Sequence, residues 1–198
     1  MKVLFLGNEN SPLLEFLRNS GETIVTASDK IDLNYLDSIA PDLIVSYGFQ
    51  HIIKKDVVEK YRDKIINLHI SYLPWNRGSD PNLWSVVDNT PIGVTIHFID
   101  EGIDTGDIIL QKIVVISDKD TFRTAYDILQ SEVQALFIQN WKYIRTGNIV
   151  RQKQPPGGSF HRYKERDRYM QFLTNGWDTP IAEFKKRLKK IPKYEKDL

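Results

Sequence analysis

The sequence predicts an α/β fold in which a mostly parallel, twisted sheet is flanked by helices and followed by a small C-terminal appendage. Two observations carry this reading. Short apolar runs at residues 2–6, 23–27, 43–47 and 65–70 are rich in β-branched side chains and separated by segments that can be helical, which is the rhythm of βαβ units. Those runs are continuously apolar rather than alternating, as parallel strands covered on both faces must be.

The first strand ends near Gly7, and Ser11-Pro12 opens the first helix with serine as cap and proline at the first helical position. The amide-rich end of that helix faces the 7–10 loop and suits an anion. Later strands end near Gly48 and Ile70, and ligands collect at strand C-termini in such sheets. Residues 72–80 carry Pro74 and Gly78 and cannot be regular; a short helix over 81–87 and a turn at Asp88-Asn89-Thr90-Pro91 follow. Residues 93–99 and 107–116 read as two strands joined by an acidic, glycine-containing loop. From Asp120 the spacing of Ala125, Ile128, Leu129, Val133, Leu136, Phe137 and Ile144 predicts a long amphipathic helix that ends at Gly147 and packs on the sheet.

This gives a catalytic domain over residues 1–147 and an appendage over 148–198. In the appendage, Pro155-Pro156-Gly157-Gly158 reads as a hairpin linker before an aromatic and charged run at 159–169. The tail over 185–196 alternates lysines with Leu188, Ile191 and Tyr194 and reads as a solvated helix face or frayed end.

The 198 residues suffice for a substantial core, and 27 Lys and Arg against 26 Asp and Glu supply no bulk field for nucleic acid or an acidic membrane. A small-molecule substrate fits better. Cysteine is absent, which excludes disulfides, thiolate metal sites and a cysteine nucleophile. The opening apolar run is too short for a signal peptide and no later run approaches membrane-spanning length, so a soluble, cytoplasmic protein is expected.

Asn67-Leu68-His69 closes the fourth strand, where alternation turns residues 67 and 69 to the same side. An amide can donate to a developing oxyanion, and an imidazole can move a proton off an attacking amine. A carboxylate is needed to fix the imidazole, and Asp100, Asp104 and Asp107 are all eligible by position. Alone, a strand-end histidine reads as readily as a hydrogen-bonded structural residue. None of the histidines has a metal-ligand spacing with a partner, and no metal is expected.

Two longer motifs extend this pair: Asn67-Leu68-His69-Ile70-Ser71-Tyr72-Leu73-Pro74-Trp75-Asn76-Arg77-Gly78, and Gly93-Val94-Thr95-Ile96-His97-Phe98-Ile99-Asp100-Glu101-Gly102-Ile103-Asp104-Thr105-Gly106. Together they resemble the formyltransferases that use N10-formyltetrahydrofolate. The resemblance implies the Rossmann-like formyltransferase fold and a catalytic triad of Asn67, His69 and Asp104. It places Gln50, His51 and Ile52, together with Ile99, Asp100, Glu101, Gly102 and Ile103, along the folate. His97 reads as structural, and Asp100 and Asp107 as turn acids bonded to backbone amides.

Within that family the chain looks most like the sugar-nucleotide N-formyltransferases, also through Pro81-Asn82-Leu83-Trp84-Ser85 and Gly157-Gly158-Ser159-Phe160-His161-Arg162. The implied acceptor is a nucleotide-linked amino-dideoxysugar, such as dTDP-4-amino-4,6-dideoxyglucose, used for surface polysaccharide such as the lipopolysaccharide O-antigen. Asn8, Ser71, Arg77, Trp84, His161 and Arg162 are the substrate-binding candidates, with Trp84 stacking on sugar or base and the arginines meeting the diphosphate. Glu9 in the first loop would repel a terminal phosphomonoester, which weakens glycinamide ribonucleotide as the acceptor. A tRNA acceptor is disfavoured by the short remainder after the long helix. A non-catalytic nucleotide-binding module is the contrasting reading, and the triad argues against it. A homodimer is expected through the late hairpin and the tail.

Overall fold

The computed structural model describes residues 1–190. In chain order the elements are β1 (Lys2–Gly7), α1 (Pro12–Asn19), β2 (Thr23–Ala27), α2 (Leu33–Ile39), β3 (Leu43–Tyr47), α3 (Lys55–Lys60), β4 (Ile65–His69) and β5 (Arg77–Gly78). They continue with α4 (Pro81–Val87), β6 (Gly93–Phe98), β7 (Ile108–Ile113), α5 (Phe122–Thr146), β8 (Phe160–His161), a 3-10 turn at Tyr163–Arg166, α6 (Asp167–Met170), β9 (Thr174–Trp177) and α7 (Ile181–Leu188). The predicted strands and helices fall on β1–β4, β6, β7, α1, α4 and α5 with shifts of at most three residues at their ends.

Six strands form one sheet in the order β2-β1-β3-β4-β6-β7. β1 pairs in parallel with β2 and β3, β3 in parallel with β4, and β6 turns antiparallel against β4. The fold is therefore α/β with a mostly parallel sheet and flanking helices, as predicted. Caps set the helix starts: the Ser11 hydroxyl accepts from the Leu13 amide at 3.4 Å with Pro12 in the first turn, and the Asp32 carboxylate accepts from the Tyr35 amide at 2.8 Å. α2 stops where Ala40 takes a left-handed φ of 47°.

By backbone contacts the chain divides into two units, neither of them continuous in sequence. The first comprises Met1–His69, Thr95–Gln111 and Val133–Gln154; the second comprises Ile70–Val94, Lys112–Glu132 and the chain from Pro155 on. In the first, Leu4, Leu6, Leu36, Ile44, Val57 and Ile65 form a buried cluster, each side chain contributing about 1.5–3 kcal/mol. The C-terminal half of α5 is tied to this unit by the Gln134 amide donating to the Tyr47 hydroxyl at 2.8 Å and by Arg145 pairing with the buried Glu22 at 3.0 Å. In the second, Leu83, Trp84, Phe122, Tyr169, Ile181 and Phe184 form a separate core.

The late hairpin gives way to a different pairing. β8 runs parallel to β5, Arg77 opposite Phe160 and Gly78 opposite His161, in a two-stranded sheet of the second unit. Glycines permit the approach. A Cβ on Gly78 would lie 2.2 Å from the His161 carbonyl oxygen, and one on Gly158 would lie 2.1 Å from that of Pro74, while both residues hold φ near +90°. Residues 155–158 are thus a close-packed approach to a parallel strand and not a hairpin turn. In the tail, α7 buries Ile181, Phe184 and Leu188 and exposes Lys186 with Lys185 half-buried, whereas Ile191, Tyr194 and Lys196 lie outside the described residues.

Candidate active site

β4 and β6 build the centre of the site. Their antiparallel register sets Asn67 opposite His97 and His69 opposite Thr95, so all four side chains project from one face of the sheet. The loop after β6 returns Asp104 to that face. Its carboxylate lies 3.3 Å from Asn67 Nδ2 and 3.8 Å from His69 Nε2, so the structure brings the three predicted residues together. His69 is 8% exposed. Burial of this kind strengthens the attraction of a carboxylate for a charged imidazole over its value in water.

His97, predicted to be structural, is buried against the same group. Its Nδ1 lies 2.8 Å from the Phe98 carbonyl oxygen, which can only accept, so Nδ1 carries a proton. In the neutral ring Nε2 accepts from Asn67 Nδ2 at 3.3 Å, and it stands 3.5 Å from Asp104. The two hydrogens of the Asn67 amide are therefore shared between His97 and Asp104 through long bonds. An arriving carbonyl oxygen can compete for them.

The other eligible aspartates are occupied elsewhere. Asp100 accepts from the Gly102 amide at 3.1 Å and the Thr105 hydroxyl at 2.6 Å, the turn-acid role expected of it. Asp107 pairs with Arg151 at 3.2 Å, so a guanidinium takes the place of the expected backbone amides. Asp104 itself holds a left-handed φ of 53°, a conformation that aspartate tolerates better than most residues.

Gln50, His51 and Ile52 lie in the loop after β3, with Ile52 83% exposed and the His51 ring edge-on to Phe49 at 5.3 Å. Ile99 to Ile103 follow β6. Lys55 at the start of α3 pairs with Glu101 at 2.9 Å, and this bond raises the lysine pKa above its ordinary value. Asn8 sits in the loop after β1, its side chain accepting from the Asn10 amide at 2.9 Å.

The remaining substrate candidates belong to the second unit. Trp84 corrects an expectation: it is 1% exposed inside the core, stacked on His161 at 3.8 Å between ring centroids and met edge-on by Tyr169. It packs the core and does not stack on a base. His161 is held by that ring and by Asp88 at 2.8 Å. The Ser71 hydroxyl donates to the Trp75 carbonyl at 2.5 Å, Arg77 lies in β5, and Arg162 is exposed at the head of the 3-10 turn. Sequence reasoning missed a cleft of about 400 Å³ in this unit, walled by Asp80, Asn82, Tyr126, Arg166 and Trp177; no predicted residue lines it. Arg166 pairs there with Asp80 at 2.8 Å. Among the described residues no group of three or more metal-ligating side chains is present, and no helix is long and apolar enough to cross a membrane.

An open α/β sheet that presents an amide, an imidazole and a carboxylate at the end of β4 defines the formyltransferase class of fold. The chain belongs to the Formyl transferase family, whose model matches residues 8–140. The methionyl-tRNA formyltransferase of Fusobacterium nucleatum is 32% identical over 148 residues, 73% of this chain and 48% of that protein. The chain thus spans about half the length of the curated relatives it matches. Among solved structures, the formyltransferase PseJ of Anoxybacillus kamchatkensis, in complex with UDP-4,6-dideoxy-4-formamido-L-AltNAc and tetrahydrofolate, superposes with a TM-score of 0.90 at 45% identity. The match covers 93% of this chain and 97% of PseJ. The N-formyltransferase of Helicobacter canadensis, with folinic acid and dTDP-3-aminofucose, shares the fold at a TM-score of 0.72 and 24% identity, covering 98% of this chain and 82% of that one.

Proposed function

We propose that this protein transfers the formyl group of N10-formyltetrahydrofolate to the amine of a nucleotide-linked amino-dideoxysugar. The 45% identity to PseJ over nearly the whole of both chains carries this reading and favours a UDP-linked 4-amino-4,6-dideoxy sugar over the thymidine nucleotide first expected. The donor set of Asn67, His69 and Asp104 fits such a transfer, because acyl exchange needs an oxyanion donor and a proton carrier and no metal. The folate supplies the formyl carbon and the departing nitrogen. Asn67 and protonated His69 donate to the oxygen on which negative charge builds as the amine forms its new carbon–nitrogen bond. The charged His69 gives its proton to the departing folate nitrogen as the carbon–nitrogen bond to the folate breaks, and the proton lost by the attacking nitrogen restores it; Asp104 orients the imidazole and favours its charged form.

The 83% exposed Ile52 and the loop at Asp100–Glu101 are assigned to the folate by resemblance, and Arg77 and Arg162 to the diphosphate. On resemblance alone the proposal extends to a cytoplasmic homodimer serving surface-polysaccharide synthesis. The test is incubation with N10-formyltetrahydrofolate and a panel of UDP- and dTDP-linked amino sugars, with methionyl-tRNA as a further acceptor, scored by product mass. A UDP-amino sugar gaining one formyl group in wild type but not in His69→Ala is the expected result. Formylation of methionyl-tRNA alone would overturn the acceptor class, and full turnover by His69→Ala would overturn the mechanism.

A further inference from the structure

The 104–106 loop is the least regular support in the triad. Asp104 stands on a left-handed residue, and its carboxylate reaches His69 and Asn67 only if that backbone is held in place. At the far end, Gly106 is wedged under the Phe98 carbonyl, which fixes the base of the loop. At the near end, Asp100 ties down the Thr105 hydroxyl. The carbonyl groups of Asp104 and Gly106 both accept from one side chain: Gln154 Nε2 lies 2.8 Å from each.

An amide nitrogen has two hydrogens, and two acceptors at equal distance match them without remainder. Gln154 is delivered there by a braced segment. Arg151 bonds Asp63 at 2.7 Å and Asp107 at 3.2 Å and lies over the Phe98 ring, while Gln152 exchanges both backbone hydrogen bonds with Ile108. A glutamine arriving on so fixed a segment acts as a clamp with defined geometry.

We propose that Gln154 is a positioning residue for Asp104, locking the left-handed loop so that the carboxylate stays on His69. The inference rests on the triad reading and deepens it. It also assigns a catalytic-site function to the segment after α5 that no motif marks.

Three variants test it. Gln154→Met keeps the length and removes the donor; Gln154→Glu presents an anion to two carbonyl oxygens; Gln154→Lys restores a donor. The expected result is a fall in kcat of about 10- to 100-fold for the first two, KM for both substrates staying within about threefold, and recovery in Gln154→Lys. In parallel, the NMR titration midpoint of His69 is expected to move to lower pH in Gln154→Met, because an imidazolium loses its nearest carboxylate. That second readout needs no turnover. An inactive wild type with a shifted His69 midpoint would defeat the transfer reading and keep the clamp. An active wild type whose Gln154→Met matches it in kcat and midpoint would defeat the clamp and keep the transfer reading. Losses in Gln154→Met that Gln154→Lys fails to recover, accompanied by a general drop in melting temperature, would also overturn it.

Discussion

Gly106→Ala perturbs the site through sterics alone. A Cβ at this position would lie 1.8 Å from the Phe98 carbonyl oxygen and 2.7 Å from its carbon, and both are backbone atoms of a strand that cannot rotate aside. Restoring ordinary contact requires a displacement of roughly 1.5 Å, and the loop is the softer partner. Asp104 is two residues away, with its carboxylate 3.8 Å from His69. A misplacement near 1 Å costs on the order of 100-fold in rate, while overpacking of this kind costs about 1–3 kcal/mol of stability. For a chain of this size the melting temperature falls by roughly 2–10 °C. Gly147→Ala serves as the control: its φ of +68° makes alanine strained, but no atom lies within 4 Å of the added methyl. That variant is expected to lose about 1 kcal/mol and keep its kcat. Steady-state formyl transfer and thermal melting, run side by side, decide the matter. A folded Gly106→Ala with wild-type kcat would refute the claim that loop placement controls Asp104.

Trp84→Ala is expected to cost about 3–5 kcal/mol by cavity formation, read by urea denaturation, with no selective rise in KM for the nucleotide sugar; a raised KM at unchanged stability would return Trp84 to the substrate site. Asp178 pairs with Arg123 at 2.7 Å, which lowers the aspartate pKa. Its folded value lies below its unfolded one, so the pair stabilises above the unfolded pKa and that stability is lost as pH falls through the folded one. The stability difference between wild type and Asp178→Asn should therefore be present at neutral pH and shrink below about pH 4; a difference that grows on acidification would reverse the sign.

What the sequence disclosed follows the range of the forces involved. Ser11-Pro12 and the 81–87 helix were legible because caps and breakers act within one turn. Asn67 and His69 were legible because strand alternation is local, and their partner Asp104 was chosen by resemblance where spacing left three acids open. His97 entered the cluster through its register with Asn67, which no local pattern reports. Gln154 is a polar residue in a polar stretch, and its bonds reach back 50 and 48 residues. Trp84 was chosen through the resemblance of its motif, which does not report burial, whereas every residue from Pro81 to Val86 is buried.

The second unit's core has a consequence for the nascent chain. Leu83, Trp84 and Val86 pack against Tyr169 and Phe184, and Phe184 follows Trp84 by 100 residues. At about 5–20 residues per second, these side chains wait roughly 5–20 s after synthesis for the partners that cover them. The first unit needs nothing beyond Gln154 and can close earlier. During translation the uncovered 81–86 segment is therefore a chaperone-binding and aggregation hazard, and a ribosome stalled after residue 154 but before residue 184 holds a chain with its first unit complete and its second open.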